Sequence, residues 1–206
     1  MSDEHKRLKK DLKGLSAACP HMKLALDTCG APEPRGRAPG YATLVRTIVD
    51  QQVSVQAGAS IWRRLEEGLG AVTPMAVIEA GDDTIRSFGF SRPKARYVRC
   101  LADALTDGTL DLDALDKLDD ADVMKALTAV TGIGRWTAEI YLMFALGRED
   151  VWPAGDVALA ASAERLMKLD ARPSIAELDV IAERWRPWRT TAAVMLWHYY
   201  KRAPLS

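Results

Sequence analysis

The sequence predicts an all-α protein, and three observations carry that prediction. Apolar residues recur at three- and four-residue spacing in one segment after another. Serine, threonine, aspartate and proline stand at the starts of these segments and glycine at several of their ends, the order that helix capping requires. No window shows the apolar–polar alternation of a half-buried strand. With 206 residues, the chain can bury a core as one compact unit or as two intimately packed lobes.

Taken in order, residues 3–15 carry Leu8, Leu12 and Leu15 among many lysines, a sparse stripe for a surface helix. A short helix over 19–29 stops at Gly30, and residues 31–40, with three prolines and two arginines, form a loop. Residues 41–50 present Leu44, Val45, Ile48 and Val49, and residues 53–69 present Val55, Ala59, Ile61, Trp62 and Leu65. These are two amphipathic helices, joined through Gln51-Gln52-Val53-Ser54. Thr73-Pro74 and Gly81-Asp82-Asp83 open two short helices. Ser91-Arg92-Pro93-Lys94 opens a longer one through Leu105, with Ala95, Val98, Leu101 and Ala102 on one face and Arg92, Lys94, Arg96 and Arg99 supplying charge. Helices over 111–115 and 119–129 follow. Beyond residue 150, helices span 157–169 and 174–185, and Pro187 interrupts before a last helix over 188–200.

The most informative stretch is 127–159. Gly132 and Gly134 sit where a helix running through Val130 must stop, and glycine takes positive φ without a Cβ clash. The chain reverses, and a new apolar helix begins at Arg135. The backbone N–H groups at its start lack acceptors within the helix, so they can hold an anion such as a DNA phosphate. Downstream, Val151-Trp152-Pro153-Ala154-Gly155-Asp156 places an aspartate immediately ahead of the next helix. By residue type alone, Asp156 is a helix cap.

This pair of motifs resembles the helix-hairpin-helix DNA glycosylase superfamily, in its 3-methyladenine-DNA glycosylase II branch. The likeness extends over 41–200 and returns in Glu183-Arg184-Trp185-Arg186-Pro187-Trp188-Arg189 and Trp197. Trp136 lies 20 residues before Asp156, a spacing similar to that branch. The resemblance implies two packed helical lobes with a DNA-binding cleft between them. Along the chain these are N-terminal helices and a loop (1–40), a central lobe (41–130), the hairpin (127–147), and the Gly/Pro–Asp loop with C-terminal helices (148–206). A β-rich N-terminal domain, which some relatives carry, does not fit in the forty residues ahead of Tyr41.

The resemblance also implies chemistry. Cleaving an N-glycosidic bond builds positive charge on the sugar, and the carboxylate of Asp156 would stabilise it or orient the attacking water. Capping and catalysis are compatible. In relatives that also cut the backbone, the residue after Gly-x-Gly-Arg is a lysine nucleophile; Trp136 stands there, and an indole cannot form an imine. A monofunctional enzyme without lyase activity follows. Trp136 and Trp197 would line the base pocket, since an aromatic face attracts a cationic alkylated purine. Trp185 and Trp188 read as packing anchors. Gly132, Gly134, Arg135 and Thr137 would contact DNA. Gln52 occupies the wedge position that fills the gap left by a flipped base, where relatives can place leucine; a polar helix turn is the other reading of Gln52. The backbone carbonyls of Thr128, Val130 and Gly132 would bind a structural monovalent cation, Na+ or K+, with no other cofactor required and no iron–sulfur cluster.

Composition sets limits on this reading. The 28 basic residues balance 28 acidic ones, so attraction to DNA must come from local features rather than net charge. Three widely spaced cysteines, Cys19, Cys29 and Cys100, argue against a disulfide framework and for a reducing cytoplasm. No apolar run approaches a membrane span, and the first residues are polar where a signal peptide would be apolar. The expected partner is double-stranded DNA containing damaged bases, bound by a monomer away from membranes. Two other classes remain open on sequence: a helix-hairpin-helix DNA-binding module without catalysis, and a helical protein-interaction domain. The last would show no salt-sensitive DNA binding.

Overall fold

A computed structural model describes residues 3–153 and 155–203, and every regular element among them is helical. In chain order these are α1 (Asp3–Ala18), α2 (Pro20–Cys29), α3 (Tyr41–Asp50), α4 (Val55–Leu69), α5 (Pro74–Ser87), α6 (Arg92–Thr106), α7 (Asp120–Thr128), α8 (Arg135–Phe144), α9 (Val157–Met167), α10 (Ile175–Ala182) and α11 (Arg189–Arg202). The chain divides into two compact units, a central one over Arg37–Leu146 and a second in which residues up to Gly36 join those from Gly147 onward. No described helix is long and apolar enough to cross a membrane.

The central unit is built on α3. Leu44, Val45, Ile48 and Val49 are fully buried, on a helix that packs against α4, α6 and α8. Each such aliphatic side chain contributes roughly 1.5–3 kcal/mol on leaving water. The predicted punctuation is realised in the caps. Ser54, Thr73, Ser91 and Asp119 each accept a backbone N–H three residues on. Gly81, at φ +73°, kinks α5 into the two short helices expected there. Residues 111–115 depart from the predicted helix. The Asp111 carboxylate accepts the N–H groups of Asp113 and Ala114, a local turn that competes with helix formation, and only a 3-10 turn over Leu115–Lys117 follows.

In the second unit α11 is the buried axis, with Ala192, Ala193, Met195 and Leu196 fully inside and α1, α2 and α9 packed around it. Trp185 is likewise fully buried. Its ring meets Trp152 at 5.1 Å between centroids, tilted by 58°. Trp188 packs on Gly14, where a Cβ would come within 2.6 Å of the indole. Ser174 and Glu177 form a reciprocal capping box at the start of α10. The helix predicted over 174–185 ends at Ala182 and tightens into a 3-10 turn over Glu183–Trp185.

Candidate functional site

The site residues expected from sequence fall into two groups, one in each unit. In the central unit, α7 and α8 form the hairpin. Gly132 has φ +95°, and a Cβ there would run into the Tyr97 side chain, so position 132 tolerates glycine alone. Gly134 differs from expectation: its φ is −88°, and it serves as the N-cap of α8. What glycine provides at 134 is open space, since nothing lies within 4 Å of where its Cβ would be. The first N–H groups of a helix have no acceptor within it, and Gly134 supplies no side-chain cap. Arg135, Trp136 and Thr137 make up this first turn of α8.

Side chains at the hairpin divide their duties. Arg135 is exposed and pairs through Nε with the buried Glu139 at 2.7 Å. Trp136 is half-buried. Thr137 is only 2% exposed, and its hydroxyl accepts a hydrogen bond from Gln51 Nε2 at 2.9 Å. The Thr137 hydroxyl therefore faces into the protein, so a contact between this residue and DNA would run through its backbone N–H. Gln51 Nε2 also lies 3.4 Å from the Gly132 carbonyl. The Val130 carbonyl accepts the Ile133 N–H at 3.1 Å. A carbonyl oxygen has two lone pairs, so these bonds alone do not exhaust the acceptor capacity of Val130 or Gly132.

Gln52 stands at the apex of the α3–α4 turn, exposed, with φ +52°. A left-handed backbone costs a non-glycine residue about 1–2 kcal/mol. Its neighbours hold it there. Lys94 Nζ donates to the carbonyls of Val49 at 2.8 Å and Gln51 at 2.6 Å. Burial lowers the pKa of this ammonium, opposed by Asp50. Asp50 also pairs with Arg46 at 3.1 Å and Arg37 at 3.7 Å. The sequence puts Lys94 on a charged helix face and Gln51 in a polar helix turn, and shows neither of these partnerships.

In the second unit, Asp156 is the N-cap of α9, half-buried. Its Oδ1 accepts the N–H groups of Ala158 at 2.9 Å and Leu159 at 3.1 Å, while its own N–H donates to the Pro153 carbonyl at 3.0 Å. Ala154 of this loop motif lies outside the described residues. The base of the loop is held by a charge network that sequence reading missed. Arg189 grips Asp150 with Nε on Oδ1 at 2.8 Å and a terminal nitrogen on Oδ2 at 3.1 Å, and reaches the Asp150 carbonyl at 2.7 Å. Arg186 pairs with the same carboxylate, and Glu183 pairs with both arginines. Thr190 completes the tie. It donates to the Arg148 carbonyl at 2.7 Å and accepts the Val151 N–H at 3.1 Å.

Trp197 is 9% exposed on α11, and the Arg35 guanidinium lies over its ring, 5.1 Å from the centroid. The aromatic surface expected to receive a cationic base already carries a cation. Arg35 is steadied by its backbone, since the N–H groups of Arg35 and Gly36 donate to one Glu4 carboxylate oxygen at 3.1 and 2.6 Å. Ser162 of α9 donates to the Leu196 carbonyl at 2.9 Å, which ties the helix capped by Asp156 to the turn of α11 that carries Trp197.

Residues 45–189 match the family model of the HhH-GPD superfamily of base excision DNA repair proteins. The chain belongs to this superfamily. Among HhH-GPD relatives, it is 27% identical over 203 residues to the alkylbase DNA glycosidase-like protein mag2 of Schizosaccharomyces pombe, covering 96% of this chain and 95% of that protein. DNA-3-methyladenine glycosylase 1 of the same yeast is 30% identical over 167 residues, 79% of this chain and 73% of the relative. The solved structure of the S. pombe 3-methyladenine DNA glycosylase in complex with abasic DNA superposes with a TM-score of 0.88 at 27% identity, over 96% of this chain and 99% of that one. The all-α prediction and the superfamily inferred from residues 127–159 both hold.

Proposed function

We propose that this HhH-GPD protein is a monofunctional DNA glycosylase. It hydrolyses the N-glycosidic bond of alkylated purines of the 3-methyladenine type in double-stranded DNA and so initiates base excision repair. The observation that carries the reading is Asp156: a carboxylate fixed by two backbone N–H groups, at the end of the loop motif, in a chain whose relatives include DNA-3-methyladenine glycosylases. As the C1′–N bond breaks, its electron pair leaves with the base, which departs neutral because alkylation had made it cationic. Asp156 stabilises the positive sugar left behind. Water then adds to C1′ and loses a proton, leaving an abasic site.

The other roles follow from position. The start of α8 holds a phosphate through backbone N–H groups, Gln52 enters the space vacated by the flipped nucleotide, and Trp197 and Trp136 offer aromatic surfaces to the base. An indole at 136 has no amine to trap C1′, which supports the hydrolytic route over a lyase. A sodium or potassium ion at the hairpin would be held by the carbonyls of Thr128, Val130 and Gly132 and would add positive potential toward the phosphate. The active species is a monomer on damaged duplex DNA.

The test is release of free base from methylated duplex DNA. Asp156→Asn should slow it about 100- to 1000-fold, the range for losing a charge-stabilising group. Release at the parental rate would overturn the mechanism. Damage-independent DNA binding without any base release would leave a DNA-binding module in its place, and a borohydride-trapped protein–DNA adduct would reveal an amine nucleophile.

A further inference from the structure

The α3–α4 turn is an unusual piece of backbone. Its apex residue, Gln52, is exposed and left-handed, while the residue before it reaches inward to the hairpin. Two side chains fasten the turn from different directions. From α6, the Lys94 ammonium bonds the carbonyls of Val49 and Gln51, which lie at the C-terminal end of α3, where a cation is favoured. From the turn itself, the Gln51 amide reaches Thr137 Oγ1 and the Gly132 carbonyl, both belonging to the hairpin. Gly58 lets α4 approach closely, because a Cβ there would lie 2.5 Å from Asp50 Oδ1. Val53 and Val55, 37% and 72% exposed, flank the apex, so the tip combines a polar end with an apolar rim.

Resting on the glycosylase reading above, we infer that Lys94 and Gln51 form a two-point clamp that presets the Gln52 wedge and couples it mechanically to the phosphate-holding hairpin. Lys94 is a positioning residue: it touches neither DNA nor the reacting atoms, and acts through the backbone on either side of Gln52. The clamp explains how glutamine can serve at a wedge position where the resemblance allows leucine. A flexible amide on a loose turn would fold back against the protein, whereas one held left-handed at a fixed apex projects outward. The coupling has a consequence for order of events. Seating of a phosphate at α8 stiffens the Gly132–Thr137 segment, and through Gln51 it stiffens the wedge before the base moves.

Three readouts on the full chain test this. Base flipping is followed by 2-aminopurine fluorescence beside the lesion in a methylated-type duplex, grip by affinity for undamaged duplex, and rigidity of the turn by hydrogen exchange at residues 51–53. Lys94→Met is expected to lower the flipping rate about tenfold and speed exchange at the turn about tenfold, with affinity for undamaged duplex within twofold of the parent. Lys94→Arg, which can also donate to two carbonyls, should restore both. Gln51→Leu should slow flipping similarly while leaving the Lys94 tether in place. The inference is overturned if Lys94→Met leaves turn exchange unchanged, if flipping proceeds at the parental rate, or if undamaged-duplex affinity falls in step with flipping, which would make Lys94 a phosphate contact. A parent protein that releases no base would defeat the glycosylase reading alone, because the exchange measurement judges the clamp without any chemistry.

Discussion

The hairpin and the Asp156 loop are stabilised in opposite ways. Around the hairpin the working groups are main-chain atoms: N–H groups at the start of α8, and the carbonyls of Val49, Gln51 and Gly132 gathered by Lys94 and Gln51. At the Asp156 loop they are side-chain charges, with Asp150, Glu183, Arg186 and Arg189 locked together. The contrast suits the ligands. Phosphates, which any duplex presents alike, can be met by several weak, fixed backbone dipoles, whereas the catalytic role proposed for Asp156 rests on one carboxylate, whose main chain must be held from several sides. The hairpin should therefore fail through backbone geometry, and the loop through loss of charge.

The largest effect should come from Gly132→Ala. A methyl group at φ +95° against Tyr97 is expected to cost about 2–4 kcal/mol, lowering Tm by roughly 4–16 °C in a thermal melt and weakening DNA binding with it. Gly134→Ala separates the two glycines: with open space at its Cβ, it should cost about 1 kcal/mol or less in stability yet reduce affinity for undamaged duplex. Equal Tm losses for both variants would show that position 134 is structural. On the other side of the comparison, Arg189→Met leaves Asp150 with Arg186 but without its bidentate partner. A loss of about 1–2 kcal/mol is expected, with kcat falling more than KM rises, since loop geometry rather than DNA grip is disturbed. A fall in duplex affinity alone would contradict the division of labour.

Local signals made most of the fold readable. Ser91 with Pro93, Thr73 with Pro74, and the glycine that kinks α5 act within a few residues, so their consequences were open to inspection in sequence. Asp156 as a cap belongs to the same class. The failures share a different cause. At 111–115 one aspartate side chain outcompeted a weak helical pattern. Gly134 was read as a positive-φ residue because composition cannot separate the need for left-handed backbone from the need for empty space. Lys94, on a charged helix face in the sequence, meets carbonyls 43 and 45 residues away, and Arg189, which the sequence offers only as part of the segment 183–189, meets an aspartate 39 residues away; neither partner is visible before folding supplies it. Thr137 shows the same limit: a place at a helix start says where its N–H points and nothing about its hydroxyl, which folding turns toward Gln51.

Arg35 offers a smaller test of how charge is used in the second unit. Its guanidinium covers Trp197, and an exposed cation–π contact contributes about 0.5–1 kcal/mol. A cationic base stacked on this ring, as proposed above, must displace Arg35 or share the ring. Arg35→Ala is thus expected to raise kcat/KM roughly two- to fivefold for a cationic purine and to leave a neutral lesion unchanged. An equal gain on both substrates would point to steric relief and remove charge from the explanation.

The smallest effect concerns Asp11, and it asks whether every charge in the second unit supports the loop. Asp11 is 6% exposed, and its carboxyl is pushed above its usual value of 3.8 by burial and by Glu149, against the pull of the Thr191 hydroxyl, Arg7 and Lys10. Arg7 donates to the Gly147 carbonyl at 3.2 Å and lies 3.9 Å from Glu149, so Asp11 adds negative charge close to where the chain enters the loop. A folded-state pKa above the unfolded one means that the contribution of Asp11 is complete below pH 3.8 and is lost as pH rises through the folded value. At neutral pH the ionised side chain is a net cost. Asp11→Asn keeps an acceptor for Thr191, whose hydroxyl stands 3.4 Å from Oδ2, and removes the charge. It should raise Tm by roughly 1–3 °C at pH 7, with the gain shrinking as the pH of the melt approaches 4. A loss of stability at neutral pH would mean that Asp11 belongs to the supporting network after all, and that the loop depends on more of its charges than the Asp150 cluster.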